Sequence, residues 1–234
     1  MESKRKTARI AGALYLLMAV TGFFGIMYVP STIIVSGDAT ATVNNILTSE
    51  VLFRAGIVSN LICQTTFIFL VTVLYRLFKE VSKDNALLML ALVVVSVPIA
   101  FVNMLNQIIA LQLLSGSDFL KAFEPEQLNT LVMVFLNLYT EGIAVVEIFW
   151  GLWLLPFGLL VYKSGFVPRI FGVLLILACF AYLTESVTHL LFPSYGHTVM
   201  LIVSMPQAVG ELAMMLWLLI KGVKDQKAVV FQVG

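Results

Sequence analysis

The chain has 234 residues, of which 60% are hydrophobic and 12% are charged, and its formal net charge is +1. A soluble domain has about 25% charged residues, so this composition excludes a soluble globular enzyme. The mean hydropathy of +1.01 also excludes a disordered chain or a collagen-like fibre, and the balanced charge excludes a nucleic-acid-binding protein. These numbers indicate an integral membrane protein whose partner is the lipid bilayer.

Six apolar runs are long enough to cross a bilayer, for which a helix needs about 20 residues. They cover residues 8–29, 52–77, 85–114, 129–162, 167–191 and 198–220, and the connections are too short for a separate soluble domain. We therefore predict an all-α polytopic membrane protein with residues 1–234 in one domain, a bundle of six transmembrane helices. The basic N-terminus resembles that of a signal peptide, but the first apolar run is too long, which favours an uncleaved span.

Three local features refine the helix pattern. The run 129–162 would rise about 50 Å as one helix, against about 30 Å of hydrocarbon, so we expect a break at Pro156, which lies between Gly151 and Gly158. In the connections, Asp38 is predicted to cap a short helix that ends near Thr48. Pro125 suits the first turn of the fourth helix.

Lys and Arg alternate between the two sides of the predicted bundle. Of the 14 basic residues, 12 lie at the two termini or in the second and fourth connections. Basic residues accumulate in cytoplasmic loops because they resist translocation. The pattern therefore predicts that both termini are cytoplasmic, while Arg54 and Lys121 lie on the opposite side.

Polar side chains recur inside the apolar runs, where a charged residue costs about 2.5–3.5 kcal/mol. Pairs four residues apart share one helix face and occur on spans two to six, whereas the first span has no comparable stripe and is expected to face lipid or close the side of the bundle. The proposed ligand-facing set, to which Arg54 is added as the available cation, is Arg54, Asn60, Gln64, Asn103, Gln107, Asn137, Glu141, Glu185, His189, Gln207 and Glu211.

We predict that these residues meet in a polar, acidic chamber in the outer half of the bundle, closed toward the cytoplasm by apolar residues. Arg54 is expected to pair with one of the intramembrane glutamates, the alternative being a residue that reaches the headgroups. Amides such as Asn60 and Gln107 could equally serve as hydrogen-bonding glue between helices. Glu147 is rotated away from Glu141 and could be structural.

The polar residues also allow two hypotheses of enzymatic function, a metal-dependent hydrolase and a serine hydrolase. Glu141, Glu185, His189 and Glu211 supply metal-ligand atoms, but the sequence has no H-E-x-x-H motif or paired cysteines, so no cofactor is predicted. A serine nucleophile lacks the G-x-S-x-G motif. Cys63 and Cys179 lie in apolar runs and are interpreted as packing residues.

Four stretches resemble the bacterial membrane family known as domain of unknown function 4386. They are ARIAG at 8–12 with Tyr15 and Leu16, LFRAG at 52–56, GFVPR at 165–169 with Gly172, and Gly210-Glu211 with Trp217, Leu218 and Gly222. The resemblance implies a six-span protein of the bacterial inner membrane and points to Arg54, Arg169 and Glu211 as family-type positions. It implies no activity.

Three functions remain open at this point. The leading hypothesis is a protein that binds or transports a small polar or cationic ligand, with Glu141, Glu185 and Glu211 facing it. The second is a metal-dependent intramembrane hydrolase acting on lipid. The third is a structural or assembly protein, for which a dry and fully paired polar core is expected.

Overall fold

The structure, a computed structural model, describes residues 4–223. Lys224 and Lys227, two of the basic residues assigned above to the C-terminal side, lie outside the described residues. All regular secondary structure within residues 4–223 is helical. The six helices long and apolar enough to span a membrane are Lys4–Ile33, Glu50–Phe78, Lys83–Leu113, Pro125–Ser164, Arg169–Leu191 and Thr198–Ile220. The predicted all-α bundle with six spans is therefore confirmed.

The first span is longer than the predicted 8–29. It consists of an α-helix, Lys4–Gly22, a π-helical segment, Phe23–Tyr28, and a final α-helical turn, Val29–Ile33. The π segment lies just before Pro30, which has no backbone N–H to continue the α-helical hydrogen-bond ladder. Widening the helix at this point lets the chain continue through the proline.

The fourth span is interrupted where the sequence predicts. One helix covers Pro125–Leu152 and the next covers Leu154–Ser164, with Trp153 between them. Pro156 has no N–H to donate to the carbonyl of Leu152, so the ladder is lost directly before the proline. The break divides a helix that is too long for the hydrocarbon into two shorter pieces.

The short helix and the caps outside the spans also form as predicted. Asp38 caps the helix Ala39–Thr48 by accepting a hydrogen bond from the backbone N–H of Ala41 at 2.8 Å. Pro125 occupies the first turn of the fourth span, behind a capping box made by Glu124 and Gln127. These caps fix where the chain re-enters the bundle.

The six spans pack as a closed ring in chain order. Each span contacts the next one along the chain. The helix of the sixth span, Pro193–Leu216, continues as a π-helical segment, Trp217–Lys221, which packs on the first span and so completes the ring. Small residues allow the closest crossings, as is usual between membrane helices. A Cβ atom on Gly158 would lie 2.8 Å from the carbonyl oxygen of Gly172, so the fourth and fifth spans meet backbone to backbone there.

The two ends of the ring differ in charge. We call the end that carries Lys4, Arg76, Lys83, Arg169 and Lys221 the basic end, and the end that carries Asp38, Glu50, Asp118, Glu124 and Glu126 the acidic end.

At the basic end the two termini of the ring are adjacent. Arg9 donates a hydrogen bond to the carbonyl oxygen of Ile220 at 3.3 Å. Lys4 pairs with Glu80 at 2.7 Å, and its ammonium lowers the pKa of that exposed carboxyl. The interior of this half is filled by an apolar cluster that includes Leu74, Phe78 and Phe157. That cluster closes the ring toward the basic end.

Candidate functional site

A cavity of about 300 Å³ lies inside the ring, lined by residues from every span except the third. Its floor is aromatic, because Phe67 and Trp153 pack edge to face with their ring centroids 5.0 Å apart. Most of the wall is apolar. The polar groups that reach the cavity belong to Tyr15, Gln64, Trp150, Tyr182 and Glu211.

Glu211 is held in the cavity by two phenols from different spans. Tyr15, on the first span, donates a hydrogen bond to Oε2 at 2.6 Å, and Tyr182, on the fifth span, donates one to Oε1 at 2.7 Å. Both carboxyl oxygens therefore have a donor, and the side chain is fixed in one orientation. The same two hydrogen bonds tie three spans together, so the carboxyl contributes to packing as well as to the chemistry of the cavity.

Two further polar atoms in the wall have no partner among the described residues. The Oε1 atom of Gln64 and the indole Nε1 of Trp150 are buried and make no hydrogen bond. Gln64 is only 2% exposed and is the central residue of the second span, Glu50–Phe78, so bulk water does not reach it directly. A buried acceptor and a buried donor left open in one cavity cost free energy unless something in the cavity satisfies them.

A layer of buried amides joins spans two, three and four, and Gln64 connects the cavity to it by donating a hydrogen bond from Nε2 to Asn60 Oδ1 at 3.5 Å. Asn60 donates to the hydroxyl of Tyr139 at 2.9 Å, and Asn103 donates to the backbone carbonyl of Tyr139 at 2.8 Å. The Asn103 side chain fills the space that a side chain at Gly142 would need. These contacts are the interhelical glue that the sequence left as an alternative for the amides. Gln107 is buried on the third span, outside the cavity lining.

Another group of acids lies beside the cavity on spans four to six. Glu141 and His189 are in contact at 3.1 Å with side-chain exposures of 58% and 33%. Gln207 donates a hydrogen bond to Glu185 at 2.6 Å. Glu147 and Glu185 are close enough to interact electrostatically with each other and with Tyr182. These residues do not line the cavity; Glu147 and Glu185 are connected to it by their interaction with Tyr182, which does.

Of the candidates from sequence, Gln64 and Glu211 reach the cavity. Asn137 is exposed, as is Glu141. The metal reading gains no support, because residues 4–223 contain no group of three or more His, Cys, Asp or Glu side chains that could hold a metal ion. Glu141 and His189 form one pair, and Glu211 is held by phenols instead.

The expected pairing of Arg54 with an intramembrane glutamate is wrong. Its guanidinium pairs at 2.7 Å with Glu50, one helical turn earlier, and the side chain is 59% exposed. An i,i+4 pair at a helix start satisfies the cation without moving it into the bundle. The arginine thus belongs to the acidic end and lies outside the cavity lining.

Sequence reasoning missed the aromatic half of the site. The first span closes the side of the ring as expected, yet it also supplies Tyr15, while Trp150 and Tyr182 come from spans four and five. A single Tyr or Trp in an apolar run has no polar periodicity and is commonly an interface residue. The available signal was their position: each of the three lies well inside a span rather than at its end.

The comparison with known proteins gives one match. No curated protein and no solved structure matches the chain. The sequence profile of the family described as Domain of unknown function (DUF4386) matches residues 10–222, which include all five polar residues of the cavity. The match extends over nearly the whole ring of spans, and the chain therefore belongs to the DUF4386 family.

Proposed function

We propose that this membrane protein binds or transports a small polar or cationic ligand in the cavity around Glu211. The observation that carries the proposal is the pair of unpartnered buried atoms, Gln64 Oε1 and Trp150 Nε1, whose side chains line the same cavity as the carboxyl. A ligand that donates to Gln64 and Glu211 would satisfy the open acceptor, and a water molecule beside it or an oxygen of the ligand would accept from Trp150. Pockets that are mainly apolar with a few convergent polar groups are typical of ligand sites.

The cavity differs from the amide layer in how its buried polar atoms are paired. Asn60 and Asn103 each donate a hydrogen bond to Tyr139, as is expected of a core that serves packing. Within residues 4–223, Gln107 Oε1 and Trp217 Nε1 are also open, outside the cavity lining, so what favours a ligand is that two open atoms and a carboxyl belong to side chains of one cavity.

Charge-selective labelling of Cys63 tests the proposal. Cys63 lines the cavity and is close enough to Glu211 for an electrostatic interaction, whereas Cys179, the other cysteine, lies outside the lining. In a Cys179→Ala protein we expect aminoethyl methanethiosulfonate to modify Cys63 at least about tenfold faster than sulfonatoethyl methanethiosulfonate, after normalisation to a free thiol, because the carboxyl attracts the cation. Rates measured by mass spectrometry check this.

Two glutamine substitutions sharpen the labelling test. Glu211→Gln should reduce the charge selectivity, while Glu141→Gln, which removes an exposed carboxyl outside the cavity lining, should leave it unchanged. Equal normalised rates for the two reagents would show that the cavity does not select cations, and labelling that begins only after unfolding would show that it does not admit them; either result would overturn the proposal.

We further propose that the protein lies in a bacterial inner membrane with its basic end in the cytoplasm. The support is the charge difference between the two ends, since basic loops resist translocation. A cysteine placed at Lys79 in a cysteine-free protein is expected to be protected from an impermeant maleimide in intact cells. A cysteine at Lys121, the basic residue in the helical turn Asp118–Ala122 between the third and fourth spans, is expected to react. The reverse pattern would overturn the orientation.

A further inference from the structure

The cavity is sealed between the first and sixth spans only toward the basic end. There, Gly12 lies against the backbone of Leu219, and the hydroxyl of Tyr15 donates to Glu211. Beyond this seam, the π segment Phe23–Tyr28 packs on the second span. The first and sixth spans contribute facing residues to the cavity wall, among them Phe23 and Leu212. The seam therefore closes one half of this side of the ring.

Three residues that line the cavity on this side of the ring are apolar and exposed, two of them on the first span beyond Tyr15 and one on the sixth span next to Glu211. Phe23, Met27 and Leu212 all line the cavity, and their exposed fractions are 59%, 56% and 46%. They belong to two membrane spans, so the surface they form lies at the depth of the lipid tails. The exposed part of the lining is thus the lateral side of the ring, which a molecule dissolved in the bilayer can reach.

We propose that the ligand is a single-chain amphiphilic amine that reaches the cavity from within the bilayer, between the first and sixth spans. This inference rests on the proposed function and specifies the ligand class. The ammonium group lies at Glu211 and Gln64, and the hydrocarbon chain leaves along Phe23, Met27 and Leu212. The region defined by these three apolar residues is called the lateral mouth.

The polar end of the cavity is suited to an ammonium group. Glu211 accepts from two phenols, and within residues 4–223 no basic side chain forms an ion pair with it. Gln64 offers a second acceptor that has no donor. An alkylammonium carries three N–H donors, enough for both acceptors. Tyr15, Trp150 and Tyr182 also line the cavity, and aromatic rings of this kind attract a cation that lies over them.

The rest of the cavity is suited to a hydrocarbon chain. Apart from the five polar residues, the thiol of Cys63 and the indole N–H of Trp153, its wall consists of apolar side chains and one glycine, mainly from the first and sixth spans. A small hydrophilic amine would leave this wall in contact with water. A chain that continues through the lateral mouth into the bilayer keeps both the wall and the chain in an apolar environment.

Thermal unfolding of the protein in lipid nanodiscs tests the inference with three ligands: decylamine, decanol and propylamine. A ligand that binds only the folded state raises the unfolding midpoint in a saturable manner. We expect decylamine to do so at a concentration at least about a hundredfold lower than propylamine, because the longer chain partitions into the bilayer and lines the mouth. Decanol, which has the same chain without the ammonium group, should give no saturable increase.

Matched variants locate the binding site. Gln64→Leu should raise the half-saturating concentration of decylamine at least about tenfold. Gln107→Leu, which also removes a buried amide with an unpartnered oxygen but lies outside the cavity lining, should not change it.

Leu212→Trp narrows the lateral mouth and should weaken binding similarly. Val209→Trp is its control, because Val209 is also about half exposed on the sixth span and does not line the cavity. Met27→Trp narrows the mouth from the first span if Leu212→Trp does not fold.

Each contrary outcome removes a defined part of the inference. A saturable effect of decanol equal to that of decylamine would overturn amine recognition. Equal binding of propylamine and decylamine, or equal effects of Leu212→Trp and Val209→Trp, would overturn lateral access. Failure of both amines to bind, with charge-selective labelling of Cys63 intact, would overturn the amphiphile and leave the proposed function standing. Loss of that selectivity as well would overturn both.

Discussion

Glu211→Leu is expected to destabilise the protein by about 2 to 4 kcal/mol, because it leaves the hydroxyls of Tyr15 and Tyr182 buried without an acceptor. In a chain of this size such a loss lowers the thermal midpoint by roughly 5 to 15 °C. Glu211→Gln keeps one oxygen that accepts from the first phenol and adds an amide N–H that can donate to the oxygen of the second phenol. The loss of stability should therefore be smaller. Thermal unfolding in detergent, monitored by tryptophan fluorescence, gives the midpoints of the parent, Glu211→Leu and Glu211→Gln.

A compensating variant shows whether the unpaired phenols cause the loss. Tyr15→Phe and Tyr182→Phe, introduced together with Glu211→Leu, remove the donors along with the acceptor, and much of the stability should return. A Glu211→Leu midpoint equal to that of the parent would mean that the two hydroxyls find other partners, such as water in the cavity, and that the carboxyl is not needed to hold the spans together.

Gly12→Ala should open the seam between the first and last spans. A Cβ atom at this position would collide with the backbone of Leu218 and Leu219, which cannot move aside as a flexible side chain can. Overpacking of this kind costs about 3 kcal/mol, and here it falls on the contact that closes the ring. We expect a lower thermal midpoint and faster labelling of Cys63, since the cavity lies directly beyond the seam.

Gly196→Ala provides the control for Gly12→Ala. Gly196 is also helical, in the helix Pro193–Leu216, but a Cβ atom there would lie 3.6 Å from the nearest atom, which is ordinary van der Waals contact. Alanine favours a helix over glycine by about 1 kcal/mol, so this variant should equal or exceed the stability of the parent. Equal midpoints for the two alanine variants would show that the seam at Gly12 tolerates a side chain.

The pairs of polar residues four apart were correct as helix faces but did not identify the site. Asn60 and Gln64 share one face of the second span, yet Asn60 bonds to Tyr139 in the amide layer while Gln64 reaches the cavity. Periodicity defines which residues point the same way, and it does not define which neighbouring helix they meet. Gln64 also donates a hydrogen bond to Asn60 at 3.5 Å, and the depth of each residue along the span decides which other neighbours it meets.

Arg54 shows a different limit of predicting side-chain partners from sequence. Arg54 was considered as a partner for distant acids, although Glu50 lies four residues earlier and forms the observed pair. A local i,i+4 partner needs no tertiary contact, so it should be tested before a distant one. The spacing of Glu50 and Arg54 therefore already places the cation at the start of the second span, outside the cavity.

The membrane class, the six spans, the break before Pro156 and the caps at Asp38 and Pro125 all follow from the order of the amino acids along the chain. Each of these follows from length, hydropathy or local backbone chemistry, which act within one segment. In contrast, the packing of separate helices is what brings Tyr15 and Tyr182 to Glu211 and leaves one wall of the cavity exposed at the side of the ring. Those outcomes depend on how closely separate helices approach, and glycines such as Gly12 set that approach through contacts with residues far away in the chain.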